Sequence, residues 1–198
     1  MVNTPADEET MRFALSEAAR AFTGRDPSPN LLAFMLAQTA IETAHWRKIQ
    51  NQNVGNITVL ETADAFAWRP PWFEPPFKNE RDERLHALML QGKAPKAFRA
   101  YGNLREGAAD YVKRLHVKFP EIIVAAEKGD ARKVAHAINK AYCPSCFGVA
   151  ETRNLRELAD RFGADQTRPP VRAGHFGMWF LGGVGAYLLA SARRKRAS

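Results

Sequence analysis

The stretch LLAFMLAQTAIETAHW, residues 31–46, is apolar on almost every side. A helix at a protein surface carries one apolar stripe, whereas one that is apolar nearly all round is buried in the middle of its domain. Ser28-Pro29 just ahead supplies a cap and then a proline at the first helical position, so the start of this central helix is legible too. Its polar residues therefore need reasons, and Glu42, one or two turns from the helix end, is the informative one.

Helical patterning recurs on both sides. Thr4 before Pro5, with Asp7 three positions on, predicts a helix start, and Met11, Leu15, Ala18 and Phe22 then share one face. Helices are expected again over about Asn79 to Gln91 and after Asn103, where Glu106 completes a capping box ahead of Ala109, Val112, Leu115 and Phe119. Pro120 is expected to end or bend that element. Asp130 caps a run through Val134, Ala137 and Ile138, and a last helix covers about Thr152 to Phe162. Between the central helix and Asn79 the texture changes to NQNVGNITVLETADAFAWRPPWFEPPF. Its β-branched residues, asparagines and prolines at 70, 71, 75 and 76 predict a small irregular β lobe and exclude a regular helix there. The expected fold is mainly α (α+β), a helical domain over residues 1–165 with one small β lobe.

Composition fits this and narrows the function. The 198 residues are 45% hydrophobic with a net charge of +8, a globular balance with a basic excess. Six of the 29 basic residues lie beyond position 167 with no acid beside them, leaving 23 against 21, or +2, for the rest. That is too little for a strong phosphate-tracking groove, so nucleic acid is not an expected partner. Residues 166–172 read as a linker. Residues 173–192, AGHFGMWFLGGVGAYLLASA, are about the length that spans a bilayer core, and the basic tail RRKRAS, 193–198, comes next. One C-terminal transmembrane helix is expected, with a docked helix as the alternative reading. Gly182 and Ala186 form a small-xxx-small pair that would let two tails associate. The N-terminus MVNTPADEETMRF lacks the basic segment and apolar run of an export signal.

Glu42 sits beside Ala40 and Ile41 near a helix C-terminus. Desolvation and the negative end of the helix dipole both disfavour its charge and favour a protonated acid near neutrality. General-acid cleavage of a glycosidic bond requires such an acid. The competing reading is an ordinary rim carboxylate paired with Arg47 or Lys48. Asn53 and Asn56 flank Gly55, where they either hydrogen-bond a sugar or serve as turn residues. Trp72 and Phe73, between proline pairs, form either an exposed stacking platform for a sugar ring or a plug for the lobe. Tyr101 reads as scaffold. His86, His116 and His136 receive no role.

QTAIETAHW followed by NQNVGNI resembles the signature of lysozyme-like peptidoglycan glucosaminidases of the glycoside hydrolase family 73 type. In that family an apolar helix with Ala-x-x-Ala-x-Glu-Ser/Thr precedes an Asn-x-x-Gly-x-Ile turn. FRAYGNLREGAADYVKRL, Phe98 to Leu115, is similar to a further family segment, and the helical stretch up to Tyr142 is similar to the run leading to the family's active-site tyrosine. The likeness covers about residues 30–162 in order. It implies a lysozyme-like fold with a cleft for aminosugar polymers, Glu42 as general acid, Tyr142 as an active-site residue, peptidoglycan as partner and no cofactor. Asn53, Asn56 and Trp72 are the expected substrate-binding residues. Two departures matter. Tyr142 continues into Cys143-Pro-Ser-Cys146 instead of a Thr-Asp-Pro loop, and the second carboxylate is not evident, with Glu74 and Glu61 as candidates. Hydrolysis and lytic transglycosylation, in which the substrate's own 6-hydroxyl attacks, both remain open, as does a non-catalytic glycan-binding or structural protein. With the tail, the expected location is a virion membrane or a bacterial cell envelope, and virion proteins are expected partners.

Cys143 and Cys146 form one isolated CxxC, too few ligands for a four-cysteine zinc site. No metal site is expected. Replacing both by serine should change stability modestly and leave activity unaffected by chelators; stoichiometric zinc in the purified protein would contradict this.

Overall fold

The computed structural model describes residues 2–58, 67–92, 97–142 and 148–164. The described residues are mainly helical: seven α-helices, a short π-helical turn and one two-stranded antiparallel pairing. The tail 173–192, the linker and the Cys143–Cys146 loop lie outside them. No helix among the described residues is long and apolar enough to cross a membrane.

Helix α2 (Pro29–Glu42) is central, capped by Ser28, whose side chain accepts from the Leu31 N–H. Leu31 and all residues from Ala33 to Ala40 are buried, as an all-round apolar sequence requires. Around it pack α1 (Glu8–Thr23), α5 (Pro120–Glu127) and α7 (Val149–Arg161), while α4 (Leu104–Lys118) lies against α1 and α6 (Ala131–Ala137) joins α5 to α7. The π-helical turn Ile138–Tyr142 continues α6.

Helix α1 begins later than Thr4. Its cap is Asp7, which accepts from the Thr10 N–H. Residues 2–6 are held instead by pairing with the chain after α2: the Thr4 N–H donates to Ile49 O at 3.0 Å, the Ala6 N–H to Trp46 O at 3.1 Å, and Asn3 bridges Gln50. Met11, Leu15 and Ala18 are buried as the periodicity predicts, but Phe22 is 44% exposed, its ring beside His116. On α4, Val112 and Leu115 enter the core while Ala109 faces out, displaced by Ala108 and Tyr111. Pro120 starts α5 rather than merely ending α4, because the first turn of a helix tolerates a missing N–H.

The β lobe is small. Ala67–Trp68 (β1) pairs antiparallel with Phe98–Arg99 (β2), and Thr58 bridges Phe98. Helix α3 (Glu80–Leu90), capped by Asn79, adds Leu85 and Met89 to a separate cluster with Trp72 and Phe98. Trp72 is only 7% exposed and meets Phe98 edge-on, with centroids 6.1 Å apart. Of its two readings, the plug describes where it sits, and no exposed platform is formed by this ring.

Candidate active site

Helix α2 stops at Glu42 because the next residues leave the helical region of backbone space. Ala44, His45 and Trp46 all have positive φ, at 52°, 54° and 59°. A left-handed turn of three non-glycine residues costs roughly 1–2 kcal/mol per residue and needs compensation. Neighbouring groups supply it. The His45 N–H donates to Ala40 O at 2.7 Å, the Trp46 N–H to Thr43 Oγ1 at 3.1 Å, and the Lys48 N–H to Thr43 O at 3.0 Å. Trp46 Nε1–H donates to Thr39 Oγ1 at 3.1 Å, and the indole is buried against Phe162. The turn reverses the chain and brings residues 51–57 back over the end of α2.

That returning loop holds the acid. Asn56, at φ 47°, donates through Nδ2 to Glu42 O at 2.7 Å and to Glu42 Oε2 at 3.1 Å. Glu42 keeps part of its surface accessible, yet enough protein surrounds the carboxyl to push it up to about 7; burial is the cause, opposed by the Asn56 hydrogen bond. Among the described residues Glu42 has no ion-pair partner: Arg47 instead donates from Nε to Ala44 O. The rim-pair reading therefore loses its partner. His45, in the same turn, is held below its ordinary value by burial and then by Arg47 and Arg161.

Asn53 does something other than face a ligand. It is 1% exposed, its Nδ2 donates to Ile57 O at 2.9 Å and Arg99 O at 3.0 Å, and its Oδ1 accepts from the Ile57 N–H at 2.8 Å. Its amide is spent on the turn, which corrects the expectation that it binds sugar directly. Asn56 stays at the site, but on the carboxyl. Glu74 is exposed on the loop before α3 and makes no described contact. Tyr142 closes the π-helical turn, but its side chain lies outside the described residues, as do Glu61, Cys143 and Cys146.

The segment from Phe98 to Leu115 acts as the loop's clamp. The Arg99 N–H donates to Ile57 O at 2.9 Å and the Tyr101 N–H to Asn51 O at 3.0 Å. Tyr101 is scaffold as expected: its hydroxyl donates to Asp110 Oδ2 at 2.6 Å, and Asp110 also pairs with Arg99 at 3.2 Å. Burial and then that carboxylate push the phenol upward. Asn103 caps α4, its Oδ1 accepting from the Glu106 N–H, but only this half of the expected capping box forms: the Glu106 carboxylate accepts from the Gly102 N–H at 2.9 Å and from Asn103 Nδ2 at 2.8 Å, not from the Asn103 backbone. The next residue, Gly107, lies so close to the loop that a Cβ there would stand 1.9 Å from Gln52 O. Sequence reasoning passes over Gly107, whose role depends on where the distant Gln52 backbone lies, and over Thr39, Thr43 and Trp46, whose mutual hydrogen bonds depend on the left-handed turn after α2.

Among the described residues no three His, Cys, Asp or Glu side chains gather where a metal could be held. The arrangement can keep a proton on a partly accessible carboxyl near neutrality and hold that carboxyl in one orientation. No protein-family model, curated protein or solved structure matches the chain.

Proposed function

We propose that the chain is a peptidoglycan-cleaving glycosidase acting on the β-1,4 backbone of N-acetylglucosamine and N-acetylmuramic acid, as a hydrolase or a lytic transglycosylase. The observation that carries the reading is Glu42: a half-buried acid near pH 7, oriented by Asn56, with no cation among the described residues to fix it as a carboxylate. Its proton passes to the glycosidic oxygen as the bond to the anomeric carbon breaks, the bonding pair stays with the leaving oxygen, and positive charge develops at that carbon. Water, or the substrate's own 6-hydroxyl, then bonds to that carbon and loses its proton to a carboxylate, directly to Glu42 or to the second acid, and Glu42 is reprotonated for the next turn. Tyr142 is assigned to positioning the sugar on the family likeness; Glu74 is the candidate for a second carboxylate, on its place in the sequence alone. Asn53 supports the loop rather than the ligand.

Residues 173–192 attach the enzyme to a virion membrane or bacterial envelope in this reading. Removing residues 168–198 should leave a soluble, folded domain that keeps its activity, since the charge asymmetry and the Pro169-Pro170 linker set the tail apart. Aggregation of the truncated protein, or loss of its helical circular dichroism, would make the tail part of the fold.

Mass spectrometry of fragments released from purified sacculi tests the function. Anhydromuramic, reducing muramic and reducing glucosamine ends identify a lytic transglycosylase, a muramidase and a glucosaminidase respectively. Sacculi bound but left whole would instead identify a binding module.

A further inference from the structure

Gln38 lies one turn before Glu42 on α2 and is 2% exposed. Its Oε1 accepts from the Tyr111 hydroxyl at 2.9 Å, and its buried Nε2 has no hydrogen-bond partner. A buried amide donor left idle costs roughly 1–3 kcal/mol, so its retention in an otherwise apolar helix wants a use. Geometry supplies one. Residues four apart share a helix face, with Cβ atoms about 5–6 Å apart, so Gln38 and Glu42 are stacked neighbours.

The opposite wall repeats the spacing. Gln38 meets Tyr111 of α4, while Gly107, one turn earlier on α4, meets Gln52 of the loop whose Asn56 holds Glu42. Gln38 and Tyr111 thus form a buried polar floor one helical turn from Glu42 on α2 and from Gly107 on α4. At 2% exposure for Gln38 and 1% for Tyr111, this floor is closed to any substrate.

We propose that Gln38 is a positioning residue for Glu42: once Glu42 has given up its proton, Gln38 Nε2 donates to the new carboxylate, which then lies between the amides of Asn56 and Gln38. The inference deepens the reading of Glu42 as the general acid and rests on it for its catalytic meaning. A donor that appears for the charged form keeps the spent acid in place until it is reprotonated, without opposing proton release. Other charged groups near the site do not take this part. Arg47 and Lys48 are exposed, and neither they, His45 nor Arg161 of the helix packed on α2 forms an ion pair with Glu42.

The test uses the full-length chain and no substrate. In an NMR titration, the Gln38 side-chain amide resonances of the wild-type protein should move with the same midpoint as the Glu42 carboxyl carbon. Gln38→Met, which keeps the volume and removes the donor, should raise the Glu42 midpoint by about one pH unit. Tyr111→Phe removes the other floor hydrogen bond but keeps Nε2, and should raise it by less. Gln38 resonances that ignore the Glu42 midpoint, or equal shifts in the two variants, would overturn the proposal in favour of a purely structural floor. Should sacculi prove resistant while the coupled titration is seen, the glycosidase reading falls and the Gln38–Glu42 pairing stands.

Discussion

Glu42→Gln should lower glycan cleavage by about 10² to 10⁴-fold, the usual contribution of a positioned general acid, while leaving the melting temperature unchanged or higher. The amide keeps the shape and can still meet Asn56, but it has no proton to give. Stability follows from the direction of the titration. The carboxyl's ordinary value is 4.5 and its folded value about 7, so between these pH values the folded chain retains a proton that the unfolded chain has lost. Glu42's contribution to stability is fully present below about 4.5 and is lost as pH rises through about 7. The glutamine variant lacks that slope and should gain relative to wild type as pH increases. A rim ion pair predicts the opposite on both counts, with lowered stability and unimpaired cleavage.

Gly107→Ala is expected to be nearly as damaging, although the residue touches no substrate. Alanine is favoured over glycine inside a helix by about 1 kcal/mol, so a helix-centred view predicts stabilisation. The new Cβ would lie 1.9 Å from Gln52 O and 3.3 Å from the Tyr101 ring. A backbone carbonyl cannot swing aside as a side chain can. Overpacking of this kind costs about 1–3 kcal/mol or more, and relief requires loop 51–56 to move off α4, taking Asn56 away from Glu42. Misplacement by about 1 Å costs about 10²-fold in rate, so both melting temperature and cleavage should fall. Gly102→Ala is the control, since its Cβ would meet only the carboxylate end of Glu106, at 3.2 Å. Wild-type stability in Gly107→Ala would show that the clamp is not where we place it.

What the sequence discloses and what it hides divide along a physical line. The central helix is legible because all-round apolarity has one structural meaning, and its cap because Ser-Pro at a helix start is local chemistry. Asn103 with Glu106, and Asp130, are legible for the same reason. Thr4 misleads about the start of α1, because its good local signal is overridden by long-range pairing with Ile49. Trp72 is ambiguous from sequence, since an aromatic between prolines fits a platform or a plug equally; only the approach of Phe98 decides. At the site, Glu42 stands out as a carboxylate among Ala40, Ile41 and other core residues. Asn53 and Asn56 look alike in the chain, yet one is consumed by its own turn and the other reaches the acid, a difference set by Arg99 O and Glu42 arriving from elsewhere. Gln38 is visible as a polar exception, but its idle donor emerges only when Tyr111 is placed against its oxygen.

The rate of fragment release from purified sacculi as a function of pH, set beside the titration of the Glu42 carboxyl in the same protein, tests the central claim most directly. Proton delivery by Glu42 predicts release that declines by about tenfold per pH unit above a midpoint near 7, coincident with the carboxyl's own. Sacculi left intact at every pH, or release indifferent to pH across the Glu42 midpoint, would contradict it.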